Sequence, residues 1–177
     1  MWPNYLLPEQ YEQDAFIAGG FAACPALARD IDIWIPVAKE NVDFAREEIL
    51  THLASRQVNF TEEDGQGSPR GKRIADGTLN HDQLLSTFEG YFTKLSIRRV
   101  ASIEVPGGSL PYHLIVVGGN IDEVLSSFDI STHQVALTHK GVVVGEHWTP
   151  VWAEPVVLTQ KYTTPERLEK IRQRYAR

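Results

Sequence analysis

The sequence predicts an α+β fold, a mixed and largely antiparallel sheet with flanking helices, in one domain over residues 1–177. Three observations lead there. Apolar runs of strand length alternate with amphipathic stretches of helical period. Neighbouring runs are joined by short glycine turns at Pro106-Gly107-Gly108-Ser109 and Lys140-Gly141, which favour antiparallel hairpins over a regular doubly wound parallel sheet. No internal repeat or linker divides the chain.

In order along the chain, Asp14 to Gly19 reads as a short buried strand (Ala15, Phe16, Ile17, Ala18) ending at Gly19-Gly20. Phe21 to Ala28 is alanine-rich, but Pro25 limits it to a short or irregular helical turn. Arg29 to Pro36 is a strand stopped by proline. Glu40 to Arg56 is the clearest helix: Val42, Ala45, Ile49 and Leu53 recur at spacings of three and four, with Arg46, Glu47 and Glu48 opposite. A short strand follows at Gln57 to Thr61. Residues 62–80 lose every apolar period to glycine, proline and charge, predicting a flexible loop or a lid over an anionic substrate. Asp82 to Lys94 then reads as a helix, and Lys94–Val105 and Tyr112–Gly118 as strands. A short helix spans Asn120 to Ser127, with Asn120 as N-cap and Asp122 and Glu123 in its first turn. Ile130–Leu137 and Val142–Trp148 form a second hairpin, and Val156–Leu158 an added edge strand. A C-terminal helix at 165–176 begins with Thr164 as N-cap and Pro165 as first helical residue, and carries Leu168, Ile171 and Tyr175.

Composition bounds the function. With 42% hydrophobic and 23% charged residues, the chain suits one real core. No apolar run reaches membrane-spanning length, so no membrane partner is expected. The N-terminus lacks the basic start and apolar stretch of a secretory signal. The single cysteine, Cys24, excludes an internal disulfide and fits a reducing compartment, so a cytoplasmic protein is expected. A net charge of −6 argues against a generic nucleic-acid binder. Bases do cluster at Arg70, Lys72 and Arg73, at Arg98-Arg99, and from Arg167 through Lys170, Arg172 and Arg174 to Arg177, each first read as a solvated face. The histidines, His133 and His139 included, show no zinc-finger spacing and are read as surface or hydrogen-bonded residues. There is no Gly-x-x-x-x-Gly-Lys-Ser/Thr loop and no Gly-x-Ser-x-Gly nucleophile turn.

The chemistry concentrates at Asp30 and Asp32. Residues i and i+2 of a strand project to one side, so the two carboxylates stand together while Ile31, Ile33 and Ile35 pack on the other face. Adjacent carboxylates repel unless a cation lies between them, and hard oxygen ligands favour Mg²⁺ or Mn²⁺. Upstream, the Gly19-Gly20 turn offers backbone N–H groups for phosphates.

Gly19-Gly20, nine residues, then Asp30-Ile31-Asp32 resembles the signature of the DNA polymerase β-like nucleotidyltransferase superfamily, in its small, phage-type single-domain form. Phe128-Asp129-Ile130-Ser131-Thr132 is similar to a segment of the CCA-adding and poly(A)-adding head domain. The resemblance covers Ala15 to Leu137 and implies a nucleotidyltransferase-like fold. It further implies transfer of a nucleoside monophosphate from a nucleoside triphosphate to an RNA end, a protein or a small molecule. Asp30 and Asp32 would be metal ligands for Mg²⁺ or Mn²⁺, and Gly19 and Gly20, aided by Lys72 and Arg73, would bind the nucleotide. The family's third carboxylate is expected on a neighbouring strand; the natural home, Tyr112–Val117, offers His113, which leaves Asp129 or Glu104, with Asp129 preferred as the third catalytic acid. Phe21 stands where a serine or threonine is usual. The alternative is a catalytically silent relative, possibly viral, that binds a protein in its host's cytoplasm.

Overall fold

The computed structural model describes residues 1–63, 100–158 and 164–176. The loop expected at 62–80 lies outside these residues beyond Glu63, as do the helix expected at 82–94 and the basic residues Lys72, Arg73, Arg98 and Arg99.

A short helix α1 (Glu9–Glu12) leads into strand β1 (Phe16–Ala18), helix α2 (Gly20–Ala23) and a 3-10 turn at Pro25–Leu27. Strand β2 (Ile31–Val37), helix α3 (Val42–Ser55) and strand β3 (Thr61–Glu63) follow. After residue 99 come β4 (Val100–Val105), β5 (Tyr112–Gly118), α4 (Ile121–Ser127), β6 (Val135–Thr138), β7 (Gly141–Val144) and α5 (Pro165–Arg174). The strands form one seven-stranded sheet in the order β3-β4-β5-β2-β1-β6-β7. Every ladder is antiparallel except β2 with β5. The α+β class with a mixed, largely antiparallel sheet is therefore the observed one.

Each sheet face has its own apolar layer. On the first, Ile17, Ile33, Ile35, Leu114 and Val116 meet Val42, Ala45, Ile49 and Leu53 of α3, together with Leu6 and Leu7. On the second, Phe16, Ala18, Trp34, Ile115 and Val117 meet Val124 and Leu125 of α4. Two-sided burial explains why β1 and most of β5 are continuous apolar runs instead of alternating ones. Each of the four core residues of α3 contributes on the order of 1.5–3 kcal/mol through burial, alanine less.

The helix ends follow the sequence. At α4 the Glu123 N–H donates to Asn120 Oδ1 (2.9 Å) and the Asn120 N–H to Glu123 Oε1 (3.3 Å), a reciprocal cap. At α5 the Arg167 N–H donates to Thr164 Oγ1 (3.1 Å), and Pro165 fills the first helical position.

Three boundaries differ from expectation. Pro36 does not stop β2 but pairs with Val117 inside it. The Ile31 N–H bonds toward β5, so odd-numbered residues face β5 and Pro36 turns its nitrogen toward β1. The β1 ladder has ended by then, at Phe16↔Trp34, and no donor is required of the proline. The second hairpin is shorter than expected because Ser131–His133 coils into a 3-10 turn, leaving Ile130 in a single bridge to Val157. The strand after α3 starts at Thr61, since Gln57 adopts a left-handed φ of 57° that closes the helix.

Candidate metal centre

The site is built by strand register. Asp30 immediately precedes β2 and Asp32 lies within it, on the face that also carries Trp34. Because β5 runs parallel to β2, Asp32 is level with His113, and the His113 Nδ1 stands 3.3 Å from Asp32 Oδ1. On the next strand Glu104 is level with His113, so Asp32, His113 and Glu104 form one row across the same face. One donor atom from each of Asp30, Asp32 and His113 lies within 4.8 Å of the others, and all three side chains are half-buried. Ligands about 2.1 Å from a common ion stand roughly 3–4 Å apart, so small side-chain movements suffice for this group to hold a metal ion. Asp32 Oδ1 is shielded from solvent and accepts no hydrogen bond among the described residues, the 3.3 Å approach of His113 being too poorly aligned to count as one. A shielded carboxylate oxygen in that state is costly, and a cation is a natural partner for it.

The glycine turn lies directly against this group. Gly19 has φ of 91°, a conformation open to glycine and strained for side chains, and it heads α2. A Cβ at Gly19 would stand 3.6 Å from Asp32 Oδ2 and 4.0 Å from the Phe128 ring, and one at Gly20 would stand 3.9 Å from an Arg174 guanidinium nitrogen. The turn thus lies close to both the Asp32 carboxylate and the Arg174 guanidinium. Trp34 and Phe128 meet edge to face beneath it, their centroids 5.6 Å apart.

Asp129 stands apart from this group, in a buried ion pair. The sequence suggested it as the third catalytic acid, but its buried carboxylate takes two hydrogen bonds from one guanidinium, Arg167 Nε at 2.7 Å and Nη2 at 2.9 Å. It is not a member of the metal-ligating group, whose third place belongs to His113 on the strand where an acid was sought. A fork-shaped pair of this kind is an anchor. It fixes α5, which is also held by buried Ile171 and by His133 Nε2 at 3.0 Å from the Tyr175 hydroxyl. Burial, reinforced by the Arg167 charge, lowers the His133 pKa to about 4, so this imidazole is neutral near pH 7. His133 is hydrogen-bonded, as expected, but inside the protein instead of on its surface.

The anchor matters to the site because Arg174, on the last turn of α5, is what reaches Gly20. The sequence reading placed Arg174 on a solvated face. One signal was available: Arg167, Ile171 and Arg174 are spaced four and three apart, so anchor, buried contact and site residue share one helix face. Nothing local in sequence links that face to a turn at Gly19-Gly20.

A cleft of about 800 Å³ lies elsewhere. It opens at the opposite ends of β2 and β5, between Phe16, Val37, Ile121 and the His139-Lys140 turn, and no member of the metal-ligating group lines it. No helix among the described residues is long and apolar enough to cross a membrane. No family model matches the chain, and no curated protein matches it.

Proposed function

We propose that this protein is a metal-dependent nucleotidyltransferase that moves a nucleoside monophosphate from a nucleoside triphosphate to an acceptor hydroxyl. The observation that carries the reading is the convergence of Asp30, Asp32 and His113 donors within 4.8 Å beside the positive-φ Gly19 turn. Asp30, Asp32 and His113 would hold the ion, and two carboxylates with one imidazole suit Mn²⁺ better than an all-oxygen Mg²⁺ shell. A bound divalent ion would supply charge neutralisation on the triphosphate and a lowered pKa for the attacking hydroxyl. The chain's own part is placement. Gly19 and Gly20 let the triphosphate approach the backbone, and the Arg174 guanidinium beside Gly20 offsets its negative charge. The acceptor oxygen bonds to the α-phosphorus, the bond to the bridging oxygen breaks, pyrophosphate leaves and the hydroxyl proton passes to water.

The test is labelled-nucleotide transfer onto RNA and protein acceptors with Mn²⁺ or Mg²⁺, beside calorimetry of ion and triphosphate binding. Asp30→Ala and Asp32→Ala should abolish transfer and ion binding together. Failure of the unaltered protein to bind either ion or any triphosphate would overturn the proposal. A second reading, a silent relative that binds a protein, is favoured by His113 in the place of the third acid and by Phe21 in place of a hydroxyl residue. Ion and triphosphate binding without transfer to any acceptor would favour it.

A further inference from the structure

We infer that two copies of this chain pair through β7 as antiparallel edge strands, extending the sheet across a two-fold axis at Val143. Strand β7 ends the sheet, with β6 its one neighbour among the described residues. Its hydrogen-bonding parity follows from one contact. Gly145 N–H donates to Gln134 O (2.8 Å), and Ala136 is level with Val143, so the odd-numbered residues of β7 point into the sheet. The N–H and C=O groups of Val142 and Val144 therefore point outward at the open edge. The side chains of these two valines are also uncovered, 67% and 47% exposed.

An open edge of this composition is a template for another strand, and natural edges are usually blunted by charge or proline. From Gly141 to Gly145 this one has neither. The charges stand just outside, Lys140 before the strand and Glu146 after it, both exposed and opposite in sign. That placement selects the occupant. Antiparallel pairing centred on Val143 sets Val142 of one copy against Val144 of the other, and these are the residues whose backbone groups face outward. The same register brings Lys140 of each copy to Glu146 of its mate, so each end of the strand pair carries opposite charges. Parallel pairing would instead bring Lys140 to Lys140 and Glu146 to Glu146. The pattern is self-complementary, as an isologous interface requires. A strand this short buries less than a standard interface, so association depends on concentration.

Sedimentation of the full chain over a wide concentration range tests this. The expected result is a reversible monomer–dimer equilibrium. Lys140→Glu alone and Glu146→Lys alone should each weaken it by about tenfold, since each converts two attractive end pairs into repulsive ones. An equimolar mixture of the two variants should recover dimer, because the mixed pair restores attraction at both ends. Val144→Pro, which removes an outward N–H and leaves the β6 ladder untouched, should abolish the dimer while circular dichroism stays unchanged. A monomer at every concentration, or a dimer indifferent to the charge reversals, would overturn the inference.

Discussion

Asp32 and Asp129 are the same residue type, both on the second sheet face's side of the molecule, and their surroundings assign them different work. Asp129 is buried and fully answered, both oxygens held by Arg167. Asp32 is half-buried and only partly answered, its shielded Oδ1 facing an imidazole at 3.3 Å without a hydrogen bond. A saturated carboxylate holds structure together; one with an unmet acceptor beside a second carboxylate is poised for a cation. The contrast sets His113, and not Asp129, beside Asp30 and Asp32, and gives Asp129 the separate task of fixing the helix that carries Arg174.

If that division is right, breaking the anchor should hurt folding most. Arg167→Ala leaves the Asp129 carboxylate buried without its partner and should cost about 3–5 kcal/mol, read by denaturant unfolding. It should also weaken triphosphate binding by displacing Arg174, while ion binding at Asp30 and Asp32 persists. Loss of both together would blur the two regions into one.

The next effect belongs to His133. Its folded-state pKa lies near 4, below the ordinary value of 6.5, so between those values the unfolded chain binds more protons than the folded one. Stability should therefore fall as pH drops from 6.5 toward 4 and level off below, by up to about 3 kcal/mol from this group. The difference in pH slope between the unaltered protein and His133→Gln isolates the contribution. An unchanged slope would mean that the imidazole titrates alike in the folded and unfolded chain.

Gly19→Ala comes third. Forcing an L side chain into φ of 91° should cost about 1–2 kcal/mol, and the added methyl would lie in ordinary contact with Asp32 Oδ2 at 3.6 Å, lining the ion's surroundings without a clash. Thermal unfolding measures the first effect and calorimetry with Mn²⁺ the second.

Smallest in stability, and the sharpest test of the contrast, is Asp32→Asn. It removes carboxylate repulsion at little structural expense, so unfolding without metal should change by less than about 0.5 kcal/mol. Ion affinity should nevertheless fall by tenfold or more. A large loss of stability in the absence of metal would show Asp32 to be an anchor like Asp129.

The elements that were legible in sequence are those that local physics determines. Val42, Ala45, Ile49 and Leu53 recur at helical spacing and are the buried stripe of α3. Asn120 with Glu123, and Thr164 with Pro165, announce their helices because the caps lie within one turn of the residues they satisfy. Asp30 and Asp32 could be placed together because strand alternation needs only two residues of context. Two of the misplaced parts depend on a partner distant in the chain. Pro36 is tolerated in β2 because of where β1 stops, and Asp129 is paired with an arginine 38 residues away.

By itself, then, the order of residues settled the fold class, the capped starts of α4 and α5, the buried stripe of α3 and the pairing of two carboxylates behind a glycine turn, since each follows from spacing shorter than one element. Only the tertiary structure decided which residues join them. Parallel pairing of β2 with β5 brings His113 level with Asp32, and the docking of α5 through Arg167 and Tyr175 brings Arg174 to Gly20. Both depend on strand order and helix packing, which arise from burial of apolar surface across the whole chain and leave no trace in the few residues around the site.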